Sequence, residues 1–521
     1  GSSSAQVPGA DSAVEQRTFQ GMPALSLQRA VAAAASAVAA AGHAGGFNAT
    51  DGPRGMSSAF VHLFEWSWAD VALECEQWLG PKGFRAVQVS PPNEHMSGDA
   101  WWTRYQPVTY KLVSRSGDEK AFDDMVKRCK KAGVDIYADA VFNHVAAGSG
   151  TGVAGSPYGN RATPIYSPDD MHHNDGDTRS NCGVQNYRDA HNVQYCDLDG
   201  LPDLCTSCDK VQRTVAAYIN GLSEKGVAGF RIDAAKHMKS GELGQLLSKV
   251  DPKLFRFQEV IAGSGEAVTV DQYFELGEVT EFGYSEKLAP NFLQDGKLQY
   301  LNSFGQSWGL MPRENAVVFL DNHDTQRGGA PLTYNNGKLY ELATIFMLAH
   351  HYGYPKVMSS YYFSSHDQGP PKTPVHNGDS VACGSQPSVV SANLSQAQAG
   401  GPWVCEHRWT GVANMVAWRA SAGSSVVTNF QAPGGDTIGF CRGSAACVAL
   451  NRQSSATWSV TLKFPLPAGD YCDVIRSDDP ASCPKVTVAA DGSVKLQVPP
   501  LGAVALHVGK KAQQRAEEIM I

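Results

Sequence analysis

Short apolar runs rich in β-branched and aromatic residues recur along the chain from Ala59 onward. They are Phe60–Phe64, Ala86–Ser90, Val134–Ala138, Ala228–Ile232, Leu254–Phe257, Val279–Phe282, Val317–Leu320 and Lys356–Ser360. Runs of this length and composition predict buried strands. Between several of them apolar residues return at helical spacing, over Asp70–Leu79, Glu119–Ala132, Lys210–Lys225 and Lys338–His350. Eight strands alternating with helices predict an α/β fold, a parallel (β/α)8 barrel of the TIM type.

The alternation breaks in three places. Residues 1–50 are low in complexity, with an alanine run from Ala30 to Ala41. They read equally as the apolar part of a leader or as an alanine-rich extension. Residues 143–204, after the third strand, are rich in Gly, Asn and Asp and too long for a simple βα connection, so they predict an inserted loop-rich domain. From 422 to 509 the helical spacing stops, and short alternating strands with Gly/Pro turns predict a C-terminal all-β Greek-key sandwich. The barrel is thus expected over 51–142 and 205–421, with a charged tail over 510–521.

Composition narrows the partners. The chain of 521 residues is 42% hydrophobic, enough for a large core, and its net charge of -8 comes without any Lys/Arg run. That balance excludes a nucleic-acid partner and an anionic membrane surface. No apolar run is long and bulky enough to cross a bilayer. Nothing demands more than a monomer. The 12 cysteines fall in local pairs: Cys182 with Cys196, Cys205 with Cys208, Cys383 with Cys405, Cys441 with Cys447 and Cys472 with Cys483, leaving Cys75 and Cys129. This suits disulfides in an oxidising compartment, hence a secreted protein. Zinc is the rival for Cys205 and Cys208, but no second ligand pair follows at metal spacing. Sequons at Asn48 and Asn393 are compatible with secretion.

Catalysis in such a barrel belongs at the C-terminal strand ends. There the sequence places Asp139-Ala140-Val141-Phe142-Asn143-His144, then Arg231 and Asp233 with Lys236 and His237, then Gln258-Glu259, then Asp321-Asn322-His323-Asp324. Arg231 and Asp233 are two apart on a strand and point the same way, so the cation is expected to keep that carboxylate ionised. Glu259 follows Phe255, Phe257 and Gln258, an apolar setting that suits a general acid. Three convergent carboxylates, Asp233, Glu259 and Asp324, fit retaining glycoside cleavage, which needs a nucleophile and an acid about 5–5.5 Å apart. Two strand-end histidines, His144 and His323, suit sugar hydroxyls. A lone Arg–Asp pair is as often structural, but this polar load is costly to bury for structure alone.

The four strand ends resemble the signature regions of the α-amylase family of glycoside hydrolases. Asp-Ala-Val-Phe-Asn-His, Gly-Phe-Arg-Ile-Asp-Ala-Ala-Lys-His, Gln-Glu-Val and Phe-Leu-Asp-Asn-His-Asp match in order. Longer stretches resemble the chloride-dependent, animal-type members: Cys-Glu-Gln-Trp-Leu-Gly-Pro-Lys-Gly-Phe, Gln-Val-Ser-Pro-Pro-Asn-Glu, Trp-Trp-Thr-Arg-Tyr-Gln-Pro-Val and Trp-Val-Cys-Glu-His-Arg-Trp. The resemblance runs over residues 56–508. It implies endo-hydrolysis of α-1,4-glucosidic bonds in starch, glycogen and maltooligosaccharides through a covalent glycosyl-enzyme. It assigns Asp233 as nucleophile, Glu259 as acid/base and Asp324 as transition-state stabiliser. It also implies substrate contacts from Trp101, Trp102, Tyr105, Gln106, His144, Arg231, Lys236, His237 and His323.

The resemblance further implies a Ca²⁺ clip in the inserted domain, held by the Asn143 side chain, the Asp203 carboxylate and backbone carbonyls of Gln194 and His237. From the local pattern alone, Asp203 reads as a helix cap. It implies a chloride ion held by Arg231, Asn322 and Lys356. Many relatives carry arginine at the last position, and lysine lacks the bidentate fork, so weaker anion binding is expected. A second departure is Gln326-Arg327-Gly328-Gly329-Ala330-Pro331, which lacks the longer glycine-rich loop of many animal enzymes. The rivals to an endo-hydrolase are an exo-acting or transglycosylating relative and an inactive glucan-binding protein. The last normally lacks a catalytic carboxylate, and all three are present.

Overall fold

In a computed structural model, residues 57–172, 182–387 and 400–513 are described. The sequons and the 1–50 extension lie outside them. The eight predicted strands form one closed barrel: β1 (Phe60–Leu63), β2 (Ala86–Val89), β3 (Asp135–Ala140), β4 (Gly229–Ile232), β5 (Phe255–Gln258), β6 (Glu278–Thr280), β7 (Ala316–Val318) and β8 (Tyr354–Ser359). Every neighbouring pair is parallel, and β8 closes on β1 in the register Phe60 to Lys356. Eight helices are used below: α1 (Trp68–Glu74), α2 (Glu119–Lys131), α3 (Ala190–Tyr195), α4 (Asp209–Glu224), α5 (Ser240–Leu247), α6 (Gly283–Leu293), α7 (Lys338–Ala349) and α8 (Thr410–Ala422).

Helix α2 illustrates why these segments fold as they do. The Asp118 side chain caps its N-terminus by accepting from Ala121 N. Arg128, Lys130 and Lys131 crowd its last turn, where cations offset the helix dipole. Phe122, Met125, Val126 and Cys129 form the buried stripe. Each such side chain contributes about 1.5–3 kcal/mol on leaving water. Cys129 is bonded to Cys75, in a π turn that continues α1.

Alternation along the strands sorts the barrel interior. Phe60, Ala86, Tyr137, Phe255, Phe257, Val317 and Tyr354 pack among themselves as an apolar plug. Two residues further along, the inward positions turn polar: His62, Gln88, Asp139, Arg231 and Lys356, all buried. Gly229 must lack a side chain here, because a Cβ would sit 2.6 Å from Phe255 O and 2.9 Å from the Tyr137 ring. The plug forms a rigid, water-poor floor under the polar layer.

Between β3 and α4 the chain makes a short hairpin, Gly150–Thr151 with Pro157–Tyr158, and then α3. After α8 come eight antiparallel strands in two four-stranded sheets. β9 (Val427–Gly434), β10 (Thr437–Arg442), β11 (Ala446–Asn451) and β16 (Gly502–His507) form one; β12 (Trp458–Lys463), β15 (Ser493–Val498), β14 (Lys485–Val488) and β13 (Gly469–Cys472) form the other, in those spatial orders. Their facing sides enclose a core that includes Leu462, Phe464, Leu496 and Leu506. The first residues of the expected tail are not free: Cys472 N donates to Lys510 O and Ala512 N to Asp470 O. All six expected disulfides are formed.

Candidate active site

The C-terminal strand ends open into a cavity of about 680 Å³. Asp233, Glu259 and Asp324 all line it, with Trp101, Trp102, Tyr105, Gln106, His144, Lys236, His237 and His323. Of the expected contact residues only Arg231 is off the wall. It is fully buried beneath the carboxylates, so it holds them rather than sugar hydroxyls.

Its guanidinium organises the floor. Nη1 donates to Asp139 Oδ1 at 2.7 Å and to Asp233 Oδ1 at 2.8 Å. Nη2 lies 2.5 Å from Glu259 Oε1, off the line of its N–H bonds, so this contact is an ion pair without an aligned hydrogen bond. Ala234, at φ 47°, turns its amide to donate to Glu259 Oε2 at 2.9 Å. Asp139 also accepts from Tyr105 Oη at 3.0 Å. Asp324 lies 3.4 Å from His323 Nε2, and its backbone amide donates to Asn322 Oδ1 at 3.1 Å.

The charge balance differs from the expectation of one cation serving one carboxylate. Arg231 is shared among Asp139, Asp233 and Glu259. Burial pushes Asp233 well above the ordinary range, and Glu259 and Asp139 add to this against the pull of Arg231. Burial and the charge of Glu259 push Asp324 up to about 7. Like charges this close titrate together and retain protons at neutral pH. A site built this way can supply a proton and a carboxylate nucleophile at once. Burial and the charge of Arg231 hold His323 well below the imidazole range, so it meets a ligand neutral.

The aromatic residues form one wall. Tyr105 stacks on His323 with ring centroids 4.8 Å apart, and Trp101 meets His323 edge-on at 5.7 Å. Trp101 is fixed by its Nε1, which donates to His366 O at 2.9 Å. On the opposite side, Lys236 donates to Ile261 O and Glu266, each at 2.5 Å, and sits 4.3 Å from the Tyr187 ring centroid. Tyr187 and Ile261 line the cavity although 39% and 48% exposed. Sequence reasoning missed these two and Glu266, and it gave Asp139 no role. Tyr187 and Ile261 sit on loops whose pattern carries no period; Asp139 was legible as a polar residue at a strand end.

The expected calcium ligands lie in two contacting pairs. Asn143 and Asp203 are joined by Leu204 N donating to Asn143 O at 2.8 Å and by a bridge between His144 and Asp203. His237 Nδ1 lies 2.9 Å from Val193 O, one residue before Gln194. Among the described residues no three His, Cys, Asp or Glu side chains converge as a metal site. The expected set is one carboxylate, one amide and main-chain carbonyls. Beneath the carboxylates, Lys356 is buried with its ammonium 4.6 Å from the Phe319 ring centroid.

Comparison with known proteins now decides the family. Residues 78–281 match the α-amylase catalytic domain, and 427–509 match the α-amylase C-terminal all-β domain. An α-amylase of Streptomyces violaceus is 44% identical, over 92% of this chain and 79% of that protein. The chain belongs to the α-amylase family. The pancreatic α-amylase of Sus scrofa is 42% identical over 85% of this chain and 92% of its own length. An α-amylase of Tenebrio molitor is 40% identical over 87% and 98%. A solved structure of α-amylase I from Eisenia fetida, a glutamine-for-glutamate mutant in complex with maltohexaose, superposes with a TM-score of 0.78 at 36% identity, covering 87% of this chain and 97% of that one. The α-amylase barrel and C-terminal domain are thus the architecture described above.

Proposed function

We propose that this chain is a secreted, retaining endo-α-amylase that cleaves α-1,4-glucosidic bonds in starch, glycogen and maltooligosaccharides. The observation that carries the reading is that Asp233, Glu259 and Asp324 line one cavity together with Trp101, Trp102 and Tyr105. Glu259 protonates the leaving 4-oxygen while Asp233 attacks the anomeric carbon, forming the glycosyl ester. Glu259 then takes a proton from water, which releases the sugar with its configuration retained. Asp324 offsets the positive charge of the oxocarbenium-like transition state. Trp101, Trp102 and Tyr105 pack against glucose faces, and His144 and His323 hold hydroxyls. Six disulfides and the family membership support an extracellular location, and a monomer suffices for the whole site.

The residues fit both ions that the family implies. Asn143 Oδ1 and Asp203 Oδ1 are buried without a hydrogen-bond partner. Burial pushes the Asp203 carboxyl up to about 7, against its bond to His172. Hard oxygens left bare in this way match Ca²⁺, with Gln194 and His237 carbonyls completing the set. When bound, the ion would clip the inserted segment to the end of β3 and the loop after β4. For chloride, burial and the charge of Arg231 bring Lys356 down to about 8, and it has no ion pair among the described residues. Asn322 spends its Oδ1 on Asp324 and Thr325, leaving Nδ2 with only a 3.5 Å contact to Asp324. Arg231, Asn322 and Lys356 would hold the anion.

Replacing Glu259 by Gln tests the reading. Cleavage of soluble starch should fall by about 10²–10⁴-fold while maltooligosaccharide binding persists. Unchanged turnover refutes the acid/base assignment, and products released only from chain ends refute endo action.

A further inference from the structure

Arg327 stands at the start of the glycine loop that follows Asp324. It ends the turn Thr325–Arg327, directly after Asp324, and Gly328 and Gly329 follow at φ 149° and 114°. Its side chain runs back into the protein. Nη1 donates to His323 O at 2.5 Å and Nη2 to Tyr361 Oη at 2.8 Å. The guanidinium carbon lies 4.4 Å from the Phe363 ring centroid, 5.0 Å from Trp101, 5.2 Å from Tyr361 and 5.4 Å from Phe64. Those rings are themselves fixed. Phe64 stacks on Tyr361 at 5.8 Å, Tyr361 Oη donates to Gln368 O at 2.7 Å, and Trp101 is tied to His366 O.

We propose that Arg327 is a positioning residue for the reaction, a cation that locks the Asp324 loop to the Trp101 wall and the segment after β8. The inference rests on the α-amylase reading above. A planar, always charged fork lies flat on rings while donating in two fixed directions, whereas lysine offers a point charge without that fork. One donation goes to the carbonyl directly before Asp324, the other to a residue packed on the far side of Trp101's neighbours. The carboxylate that meets the transition state and the ring that meets the sugar are thereby held by one group. Its charge acts on the same carboxylate. Asp324 is faced by Glu259, Asp139 and Asp233, by Tyr105 and His323, and by the cations Arg231, Lys356 and Arg327.

The test compares wild type, Arg327→Lys, Arg327→Met and Tyr361→Phe on maltoheptaose, with thermal unfolding of each. Arg327→Met should lower kcat by about ten- to a hundred-fold, with KM much less affected, because a small misplacement of a stabilising group costs that much. Losing the cation should also move the acid limb of its kcat profile to higher pH. Arg327→Lys should recover part of kcat and restore the limb. Tyr361→Phe leaves the cation and should lower kcat with the limb in place; it carries the test if Arg327→Met does not fold. Wild-type kcat in both Arg327→Met and Tyr361→Phe overturns the proposal. So does a fall in kcat that only follows the loss of folded protein with the limb unmoved. A wild-type chain that leaves maltoheptaose intact removes the α-amylase reading itself, and the proposal with it.

Discussion

Ala234 donates its backbone N–H to Glu259 Oε2 at 2.9 Å, and it does so from φ 47°, ψ 32°. That left-handed conformation costs an L-residue about 1 kcal/mol or more. It turns the chain sharply after Asp233 and aims the amide across to the end of β5. A β-branched side chain suits this region worst. Ala234→Val should therefore lose about 1–3 kcal/mol of stability and misplace Glu259, lowering kcat; denaturant unfolding and steady-state kinetics check the two effects together.

The buried carboxyls predict opposite pH trends for activity and stability. Burial and Glu259 push Asp324 up to about 7, above its unfolded value, against the pull of Arg231. Between the unfolded and folded values the native state binds more protons, so this group's contribution to stability falls as pH rises through that window. Activity needs the anion and should rise across the same window. The melting temperature of wild type and Asp324→Asn, measured alongside kcat from pH 5 to 8, checks both signs; Asp324→Asn should flatten the stability slope.

The barrel was legible because each strand is short, apolar and ended by polar residues. Arg231, Asp233, Glu259 and Asp324 showed themselves as polar groups where a buried run stops. Helix α8 was not legible, since Val412, Ala413, Met415, Val416, Trp418 and Arg419 are all buried and no polar face marks its period. Helix α6 was hidden by Pro290 inside it. The role of Asp139 was hidden for a different reason. Its importance comes from sharing Arg231 with Asp233 across neighbouring strands, and a contact between residues 92 apart has no local signature.

Removing calcium should destabilise the protein without direct loss of a catalytic group. The bare oxygens of Asn143 and Asp203 leave an uncompensated polar pair once the ion is gone. A ligand bound only by the native state raises stability by about 2.7 kcal/mol at a hundredfold excess over Kd. Chelation should therefore lower the melting temperature, and added Ca²⁺ should restore it in wild type but not in Asp203→Asn.

Chloride should act through Lys356. Halide addition should raise both kcat and the melting temperature of wild type. Lys356→Met removes the buried cation and should abolish both responses. Lys356→Arg replaces a point charge by a fork of fixed geometry and should shift the halide titration to lower concentration. A flat titration in the wild-type chain removes the anion site.

A large stability effect of a single change remote from the carboxylates should come from Glu74, at the end of α1. Its carboxylate accepts from His376 Nε2 at 2.8 Å, His407 Nε2 at 2.7 Å, and Arg408 Nε at 2.7 Å and Nη2 at 2.5 Å. Burial pushes this carboxyl up, but those bonds outweigh it and hold it well below the ordinary glutamate value. The stability it contributes is thus present above that value and is lost as pH falls towards the folded one. Glu74→Gln keeps the shape but strands Arg408 without its anion, which for a buried pair costs about 3–5 kcal/mol. Denaturant unfolding at neutral pH should show that loss. The gap between wild type and variant should narrow on acidification, because the wild type then protonates the same group; a gap independent of pH would mean that packing, not charge, holds residues 376, 407 and 408 to α1.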